Sequence, residues 1–419
     1  MYRTQINQLR GLSKEENWAI RQLSRPSKNL YNVTLWTTRQ YWEETNKFLP
    51  FVEAYHLVKE NENYKQFPSQ MAQQTMKEVE RVFKSFFGLL KRRQQRNYNR
   101  AIHSPRYLPK DGFFTCIFQK DMLKVERARL RISLGRFFAK TYQMRYLWFF
   151  IPPHIQGYQI KEVRFTPRCG GRYFQMEWIY ELTPAPQELK PGEYLAIDLS
   201  LDNFATCVST TGAPFILDGR GLKSFNRWWN KRAARLQSIY VKQQIKIGAQ
   251  KAQLLQKRAD YLRNFMGQTV NTLITYCLQE GISHIVLGEL KGIKQHASLG
   301  KQTNQNFHHI TYGLFKQKLR AKCEYYGIKY LEVNEAYTFQ TCASCGVIRV
   351  ANRKHRGLYV CHSCGSILNA DVNGALNILA QVSPESSQRI RSSGRVNRPT
   401  RIRVVSDHTS RKAPSVKAE

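Results

Sequence analysis

The chain has 419 residues, including 66 Lys or Arg and 30 Asp or Glu, which gives a formal charge of +36 at pH 7. Such a charge repels itself unless a polyanion neutralises it, so nucleic acid is the expected partner and binding should weaken steeply with salt. A membrane surface is the competing polyanion, but no membrane partner is expected, because no apolar run approaches the ~20 residues of a spanning helix and the N-terminus lacks a signal-peptide core.

Helical periodicity dominates the first hundred residues. Residues 1–25 predict a short strand with a turn, and a helix is predicted from about Lys28 to Lys47. A stronger helix is predicted from about Ser69 to Arg93, where apolar side chains recur at i, i+3, i+4 and i+7. Its polar face either enters a DNA groove or is simply solvated, and the pattern leaves both open. The candidates for a DNA contact on that face are Gln73, Gln74 and Lys77.

From residue 107 to about residue 181 the hydrophobic period changes to two. Residues 123–132, for example, alternate apolar and charged side chains. This alternation predicts antiparallel strands with one basic face, arranged as a barrel or a curled sheet. Prolines then make residues 182–192 a predicted linker.

A new unit opens with an apolar strand, residues 194–201, that carries one acid, Asp198, in its middle. Two further short strands follow, so a β-meander is the simplest arrangement. Residues 222–280 predict a long pair of helices, and the next strand begins at His284 and ends at Glu289.

The remaining elements alternate between helix and strand. Residues 292–305 predict a loop, residues 307–326 a helix and residues 328–333 a strand. A short apolar helix is predicted from Asp371 to about residue 380. Residues 383–419 contain nine Lys or Arg, much Ser and little apolar content, so they predict a disordered basic tail.

Four of the nine cysteines have the spacing of a metal site. They form two C-x2-C pairs separated by fifteen residues, a spacing that lets two tight turns present four thiolates to one tetrahedral zinc ion. Since the count is odd and no signal peptide is expected, metal binding in a reducing cytosol is favoured over disulfides. The predicted ligands of one structural Zn²⁺ are Cys342, Cys345, Cys361 and Cys364.

Three acids fall at positions that a ribonuclease H-like sheet would bring together. Asp198 lies on the first strand, Glu289 ends the fourth, and Asp371 begins the last helix. Strands one and four are neighbours in that fold, so all three carboxylates are expected at one sheet edge. Carboxylates suit Mg²⁺, and two such ions about 4 Å apart would support phosphodiester hydrolysis. Singly, each acid also fits an ordinary turn, surface or N-cap position.

Taken together, these motifs resemble the RuvC and zinc-ribbon signature of the TnpB family. TnpB proteins are insertion-sequence nucleases, once labelled OrfB transposases, and relatives of the type V CRISPR effectors. The resemblance is strong over residues 190–380 and extends in outline over residues 20–180. The motifs are LAID ending at Asp198, LGEL around Glu289, TCASCG from Thr341, YVCHSCG from Tyr359 and ADVNGALNI from Ala370.

The resemblance implies a multidomain α+β and α/β architecture. Residues 1–25 and 100–185 would form a wedge β-barrel, with a helical recognition domain, 26–99, inserted. A ribonuclease H-like RuvC domain would comprise residues 192–337 and 369–382. It would contain an inserted zinc ribbon, residues 338–368, and be followed by the disordered tail, 383–419.

The resemblance also implies an activity and partners. The protein would bind a guide RNA from the right end of its element, recognise a short target-adjacent motif and cut guide-matched double-stranded DNA with two Mg²⁺ ions. Asn373 would be a polar partner close to the metals. The expected location is the cytoplasm, in association with a prokaryotic nucleoid, and no oligomeric state is predicted.

The chain departs from the family pattern at two positions. Many members have Gly where this chain has Ser200, and many have an acid where it has Asn369. Neither change removes a proposed metal ligand, but the lost negative charge at Asn369 would weaken metal affinity. Two alternatives stay open: a nuclease-silent guided repressor, disfavoured because all three acids are present, and a transposase or transposition accessory protein.

Overall fold

The computed structural model describes residues 1–95, 98, 100–245, 247–289, 305, 310–335, 337–355, 357–392, 396 and 398–404. Most of the predicted loop at 292–305, and the end of the predicted tail from residue 405 onward, lie outside these residues. The chain divides into two compact units, Met1–Leu182 and Thr183–Glu419. None of the described helices is long and apolar enough to cross a lipid bilayer.

The first unit contains five described α-helices. They are α1 (Lys14–Thr45), α2 (Phe51–Val58), α3 (Glu62–Lys65), α4 (Ser69–Gln94) and α5 (Gly135–Tyr142). The first helix begins fourteen residues earlier than the predicted start at Lys28, because Ser13 and Glu16 form a capping box. The Glu16 amide donates to Ser13 Oγ at 3.1 Å, and the Ser13 amide donates to Glu16 Oε2 at 2.8 Å. The S-x-x-E pattern is the sequence signal for this start.

The seven strands of the first unit form two separate sheets. One is antiparallel with the order β1-β7-β6-β2, and the other has the order β3-β4-β5. The predicted barrel is therefore wrong. A three-residue 3₁₀ turn, Lys120–Met122, separates β2 from β3, so the chain passes from one sheet to the other, and neither sheet closes on itself. The strands are β1 (Tyr2–Gln8), β2 (Cys116–Gln119), β3 (Leu123–Glu126), β4 (Arg129–Ser133), β5 (Tyr146–Phe150), β6 (Ile160–Arg168) and β7 (Tyr173–Glu181).

Both sheets share one hydrophobic core with the helices. Leu23 of α1, Met71 of α4, Phe118 of β2, Ile132 of β4 and Trp178 of β7 all belong to it and are at most 2% exposed. The helical recognition segment and the predicted barrel strands therefore pack together within the first unit.

The second unit combines one large sheet, a small sheet and five described helices. The helices are α6 (Arg220–Lys242), α7 (Ala249–Glu280), α8 (Tyr312–Tyr326), α9 (Ala370–Ala380) and α10 (Pro384–Ser392). The strands are β8 (Lys190–Leu199), β9 (Asn203–Ser209), β10 (Phe215–Asp218), β11 (Ile282–Glu289), β12 (Lys329–Asn334), β13 (Arg353–His355), β14 (Leu358–Val360), β15 (Ile367–Leu368) and β16 (Thr400–Arg403). The small sheet, β13-β14-β15, contains the zinc-ribbon sequence.

The large sheet has the order β12-β11-β8-β9-β10-β16. The strands β8, β9 and β10 form the predicted antiparallel meander, and β11 runs parallel beside β8. The first and fourth strands are therefore neighbours, as the sequence predicted. Alternate residues of β8 face opposite layers, because Ile197 packs with α7 and α8 whereas Ala196 packs with α9.

The predicted disorder of residues 383–419 is wrong for their first part. Helix α10 packs on α9, with Ser387 Oγ donating to the Leu376 carbonyl at 3.1 Å and Ile390 only 6% exposed. Strand β16 then pairs in parallel with β10. The mean composition of residues 383–419 is polar, but their few apolar residues are concentrated in this first part. The edge of β10 also supplies hydrogen-bond partners for β16.

Candidate functional site

The four predicted zinc ligands converge on one point. Their sulfur atoms all lie within 4.8 Å of one another. The Sγ atoms of Cys342 and Cys364 are 3.8 Å apart, and those of Cys345 and Cys361 are 3.6 Å apart. Tetrahedral zinc with Zn–S bonds of about 2.3 Å holds its sulfurs about 3.8 Å apart, so the arrangement fits this ion.

Matching backbone turns hold each cysteine pair. The Gly346 amide donates to the Cys342 carbonyl and the Gly365 amide to the Cys361 carbonyl, both at 2.9 Å. Both glycines have positive φ, 77° and 70°, which the absence of a side chain permits. The Ser366 hydroxyl, 3.1 Å from Cys364 Sγ, lowers the pKa of that thiol to about 6, so the thiolate that zinc requires is accessible near neutral pH.

The helix α9 begins with a capped turn that presents Asp371. The Asn369 side chain accepts hydrogen bonds from the amides of Asp371 and Val372, at 3.0 and 3.2 Å. An amide at position 369 thus caps the helix without the negative charge that many family members have there. Asp371 is 8% exposed as a residue, and its two carboxylate oxygens accept from Asn203 Nδ2 at 2.6 Å and Arg353 Nη2 at 3.1 Å.

Asp198 packs directly against the same helix. A Cβ placed on Gly374 of α9 would lie 2.8 Å from Asp198 Oδ2, closer than side chains tolerate. Gly374 follows Asp371 by three residues, so both carboxylates lie on one face of α9 about one turn apart. Gly374 is therefore the residue that lets Asp198 approach the helix beside Asp371.

Burial and neighbouring acids dominate the electrostatics of Asp198. Loss of water raises the pKa of this carboxyl well above its usual value, and the charges of Glu335 and Asp371 raise it further. Arg353, which bonds Asp371, acts in the opposite direction. Removing this charge repulsion requires a proton or a cation, so the donor set suits a divalent metal ion.

Glu335 belongs to this group, although the sequence analysis did not select it. It directly follows β12, and its carboxylate covers Gly288 of β11, where a Cβ would overlap it. The register of β8 with β11 places Gly288 beside Asp198. Burial raises the pKa of Glu335 to about 7, and its Oε1 atom is buried with no hydrogen-bond partner among the residues that the structure describes. The sequence signal that could have identified Glu335 is an acid at the carboxyl end of a strand that runs parallel to its neighbour.

Glu289 is the last residue of β11 and pairs in register with Asn334 of β12. Because β11 lies beside β8, with Leu287 opposite Ile197, the Glu289 backbone is at the same sheet edge as Asp198. Within the described ranges, the four cysteines are the one group of three or more potential ligands whose atoms lie within 4.8 Å of one another. The acids thus lie at one sheet edge, but no three of the described carboxylates have oxygens within 4.8 Å of one another. The metal role of Glu289 stays a prediction.

The side chain of Asn373, on α9, bonds the first cysteine turn of the zinc ribbon. Its Oδ1 accepts from the Ala343 amide at 2.9 Å, and its Nδ2 donates to the Thr341 carbonyl at 2.8 Å. Asn377, one turn later, also donates to the Thr341 carbonyl at 2.8 Å. These amides fasten the first cysteine turn to the helix that carries Asp371.

The predicted DNA-contact residues on α4 differ in accessibility. Gln74 is 4% exposed, which corrects its assignment to an open face. The helix packs against α1, α2 and β2, so its buried arc is wider than a single apolar stripe. Gln73 and Lys77 are half-buried and remain predictions, with Lys77 Nζ 4.8 Å from the centre of the Phe51 ring.

Comparison with known proteins agrees with these features. The OrfB_IS605 family model, described as "Probable transposase", matches residues 177–294, and the model described as "Cas12f1-like, TNB domain" matches residues 312–378. The chain is 26% identical over 401 residues to "Putative RNA-guided DNA endonuclease InsQ" of Escherichia coli (strain K12), which covers 87% of this chain and 89% of that protein.

Two further likenesses extend the comparison. The CRISPR-associated endodeoxyribonuclease Cas12f1 of Sulfoacidibacillus thermotolerans is 29% identical over 216 residues, which is 48% of each protein. A solved Cas12f1–sgRNA–target DNA complex has the same fold with a TM-score of 0.57, 14% identity, and coverage of 87% of this chain and 83% of that one. The resemblance to the TnpB family that the sequence motifs predicted is therefore confirmed.

Proposed function

We propose that this protein is an RNA-guided DNA endonuclease whose RuvC-type nuclease site is the sheet edge formed by β8, β11, β12 and the start of α9. The observation that carries the proposal is the close approach of Asp198 to Gly374, one helical turn from Asp371, with Glu335 adding a third charge. The relatives named above supply the guided character of the proposed activity.

The proposed reaction is phosphodiester hydrolysis. Asp198 and Asp371 would hold Mg²⁺ through carboxylate oxygens, with Glu289 as the predicted third ligand. Mg²⁺ held by these residues would supply an activated water on one side of a phosphate and would stabilise the leaving oxygen on the other. Arg353 compensates part of the negative charge of this site through its 3.1 Å bond to Asp371. Asn203, which donates to the other oxygen of Asp371, fixes the orientation of that carboxylate.

The proposed partners are a guide RNA and matching double-stranded DNA. The formal charge of +36 supports a polyanionic partner whose binding depends on salt. Base pairing would supply sequence recognition, so the protein needs a basic channel and a reader for a short adjacent motif. Zinc at the four cysteines would have a structural role, because four protein ligands leave no open position for substrate.

The decisive experiment starts from the RNA that copurifies with the protein. We would sequence that RNA, then supply Mg²⁺ and double-stranded DNA that matches its variable end. We expect cleavage by the wild type, and guided binding without cleavage by Asp198→Ala. Asp111→Ala, which removes an exposed carboxylate in the first unit, is the matched control and should cleave normally.

Each other outcome selects a different function. Guided binding without cleavage by the wild type would favour the repressor, and joined rather than cut DNA ends would favour the transposase. Cleavage by Asp198→Ala at the wild-type rate would show that the acids have been assigned wrongly.

A further inference from the structure

The outer face of the β3-β4-β5 sheet carries a row of exposed aromatic rings. Tyr146, Trp148 and Phe150 alternate along β5 with the inward-facing Leu147 and Phe149. Their exposed fractions are 40%, 39% and 71%. Successive outward positions on a strand are about 7 Å apart, so the three rings form a ladder about 13 Å long. The opposite face of β5 packs on the hydrophobic core, where Leu147 is 2% exposed, so the three outward rings are not part of that core.

Cationic side chains from the next strand lie over this ladder. Arg129 is directly opposite Phe150, and Arg131 is directly opposite Trp148. The Arg129 guanidinium carbon is 4.6 Å from the centre of the Phe150 ring, and that of Arg131 is 4.5 Å from the centre of the Tyr146 ring. The guanidinium groups and the rings thus alternate across one surface.

The charge of this outer face is predominantly positive. Lys124 on β3 extends the row of cations, and Glu126 is the acid among them. Glu126 lies 3.6 Å from Lys124 and 3.5 Å from Arg131, so its charge is already compensated. A surface that combines aromatic rings with cations matches a partner that has flat apolar groups and negative charges together.

Open grooves continue the ladder at both ends. Beside Tyr146 there is a groove of about 520 Å³ whose lining includes Arg136, Lys140 and Arg145. Trp148 and Phe150 line a second cavity of about 330 Å³, which also contains Arg10. Basic side chains therefore lie beside both ends of the ladder, and Glu16 is an acid that also lines the second cavity.

We propose that this aromatic ladder binds unpaired RNA, with bases stacked on Tyr146, Trp148 and Phe150 and phosphates held by the flanking arginines. Every base has a stacking face, so such contacts need no particular sequence, and Arg planes stack on bases as rings do. A duplex hides those faces, which is why the ligand is single-stranded. The assignment to RNA rests on the proposed function, in which an RNA stays bound throughout. Ser133, opposite Tyr146, lines the first groove, and its hydroxyl would bond a ribose 2′-OH there.

The test uses the full chain, freed of copurifying nucleic acid by high salt, and a labelled uridine oligomer. An abasic oligomer of the same length keeps the phosphates and removes the bases. Trp148→Ala should weaken binding of the uridine oligomer about tenfold and leave binding of the abasic oligomer unchanged. Trp148→Tyr, which keeps an aromatic face, should restore most of the loss. The matched control is Trp36→Ala, which removes a ring that is 55% exposed on α1 and should change neither affinity.

A second measurement does not depend on these variants. Ultraviolet crosslinking of the wild type to the uridine oligomer should attach uridine to Tyr146, Trp148 or Phe150. Wild-type affinity in Trp148→Ala, or an equal loss with the abasic oligomer, would overturn the stacking assignment, as would crosslinks confined to other surfaces. Equal affinity for the deoxyribose oligomer would overturn the assignment to RNA.

Cleavage of guide-matched DNA is scored separately, so the two proposals fail in different ways. Base-dependent binding at this face without any cleavage refutes the nuclease and supports the ladder. Cleavage by a protein whose Trp148→Ala variant binds uridine normally supports the nuclease and refutes the ladder.

Discussion

The substitution Gly374→Ala tests the central geometric feature of the acidic site. The new methyl group would lie 2.8 Å from Asp198 Oδ2 and 3.4 Å from its Cγ. The oxygen must move by about 0.6 Å to reach the 3.4 Å at which ordinary contact begins. Displacing the carboxylate costs about 0.5–1.5 kcal/mol, whereas Ala in place of Gly in a helix gains about 1 kcal/mol. We therefore expect a free energy of unfolding within about 1 kcal/mol of the wild type.

The expected effect on cleavage is much larger. Misplacing a metal-binding carboxylate by a fraction of an ångström should reduce cleavage about 100-fold. It should also reduce the increase in melting temperature that Mg²⁺ or Mn²⁺ produces, since a ligand stabilises the fold in proportion to its affinity. The thermal shift supplies a readout that needs neither guide nor target.

Gly267→Ala provides the matched control. Gly267 lies within α7, and a Cβ there would have no neighbour within 4 Å. The control should gain about 1 kcal/mol, or about 2–4 °C in melting temperature, and cleave normally. If Gly374→Ala gains as much and cleaves as fast as Gly267→Ala, then the contact between Asp198 and α9 has no functional role and our reasoning about the site is wrong.

Three further predictions address other parts of the second unit. Cys342→Ser should lower bound zinc, measured by atomic absorption, from one equivalent to well below one, and should also lower the melting temperature. The control Cys169→Ser should change neither quantity. Full retention of zinc by Cys342→Ser would contradict the four-cysteine site. Ile390→Ala should lower the free energy of unfolding by about 2–3 kcal/mol in a denaturant titration, because Ile390 is 6% exposed. The control Ile367→Ala, at a residue that is 61% exposed, should lower it by less than about 0.5 kcal/mol. Equal losses would mean that α10 does not pack as described. Glu335→Gln should stabilise the metal-free protein by up to about 3 kcal/mol above pH 7 and not at all below pH 4.5. The reason is that folding raises the pKa of Glu335 from 4.5 to about 7, so the stability of the wild type falls as pH rises through that window. A gain in stability that does not depend on pH would refute the burial of this acid.

The sequence predicted those site residues that occur in a recognisable local sequence pattern. Two C-x2-C pairs identify the zinc ligands, because the spacing itself encodes the tight turns. Asp198 stands out because a charge in the middle of an apolar strand needs a partner. Glu335 leaves no comparable pattern, since its proximity to Asp198 depends on the pairing of β11 with its neighbours on both sides. Only the three-dimensional arrangement brings its carboxylate over Gly288.

The incorrect expectations share one physical cause, which is that packing partners distant in sequence decided the outcome. Gln74 has the polarity of a surface residue, but α4 packs on several sides and buries it. The segment Thr400–Arg403 is polar and basic, yet it becomes a strand because β10 offers it an edge. Closure of a barrel likewise depends on which strands meet, and alternation along a single strand does not contain that information.

The helix α9 connects the acidic site of the second unit to the zinc-ribbon sequence. It presents Asp371 to the acidic site, and two and six residues later it bonds the zinc ribbon through Asn373 and Asn377. Arg353, a residue of the ribbon sheet, bonds the same Asp371 at 3.1 Å. Zinc bound at the four cysteines would supply folding energy to the ribbon, so its loss would free both attachments and disturb the carboxylate that the proposed Mg²⁺ needs. Coupling of two binding equilibria is reciprocal, so Mg²⁺ bound at the acids should in turn raise the concentration of chelator needed to remove half of the zinc at equilibrium.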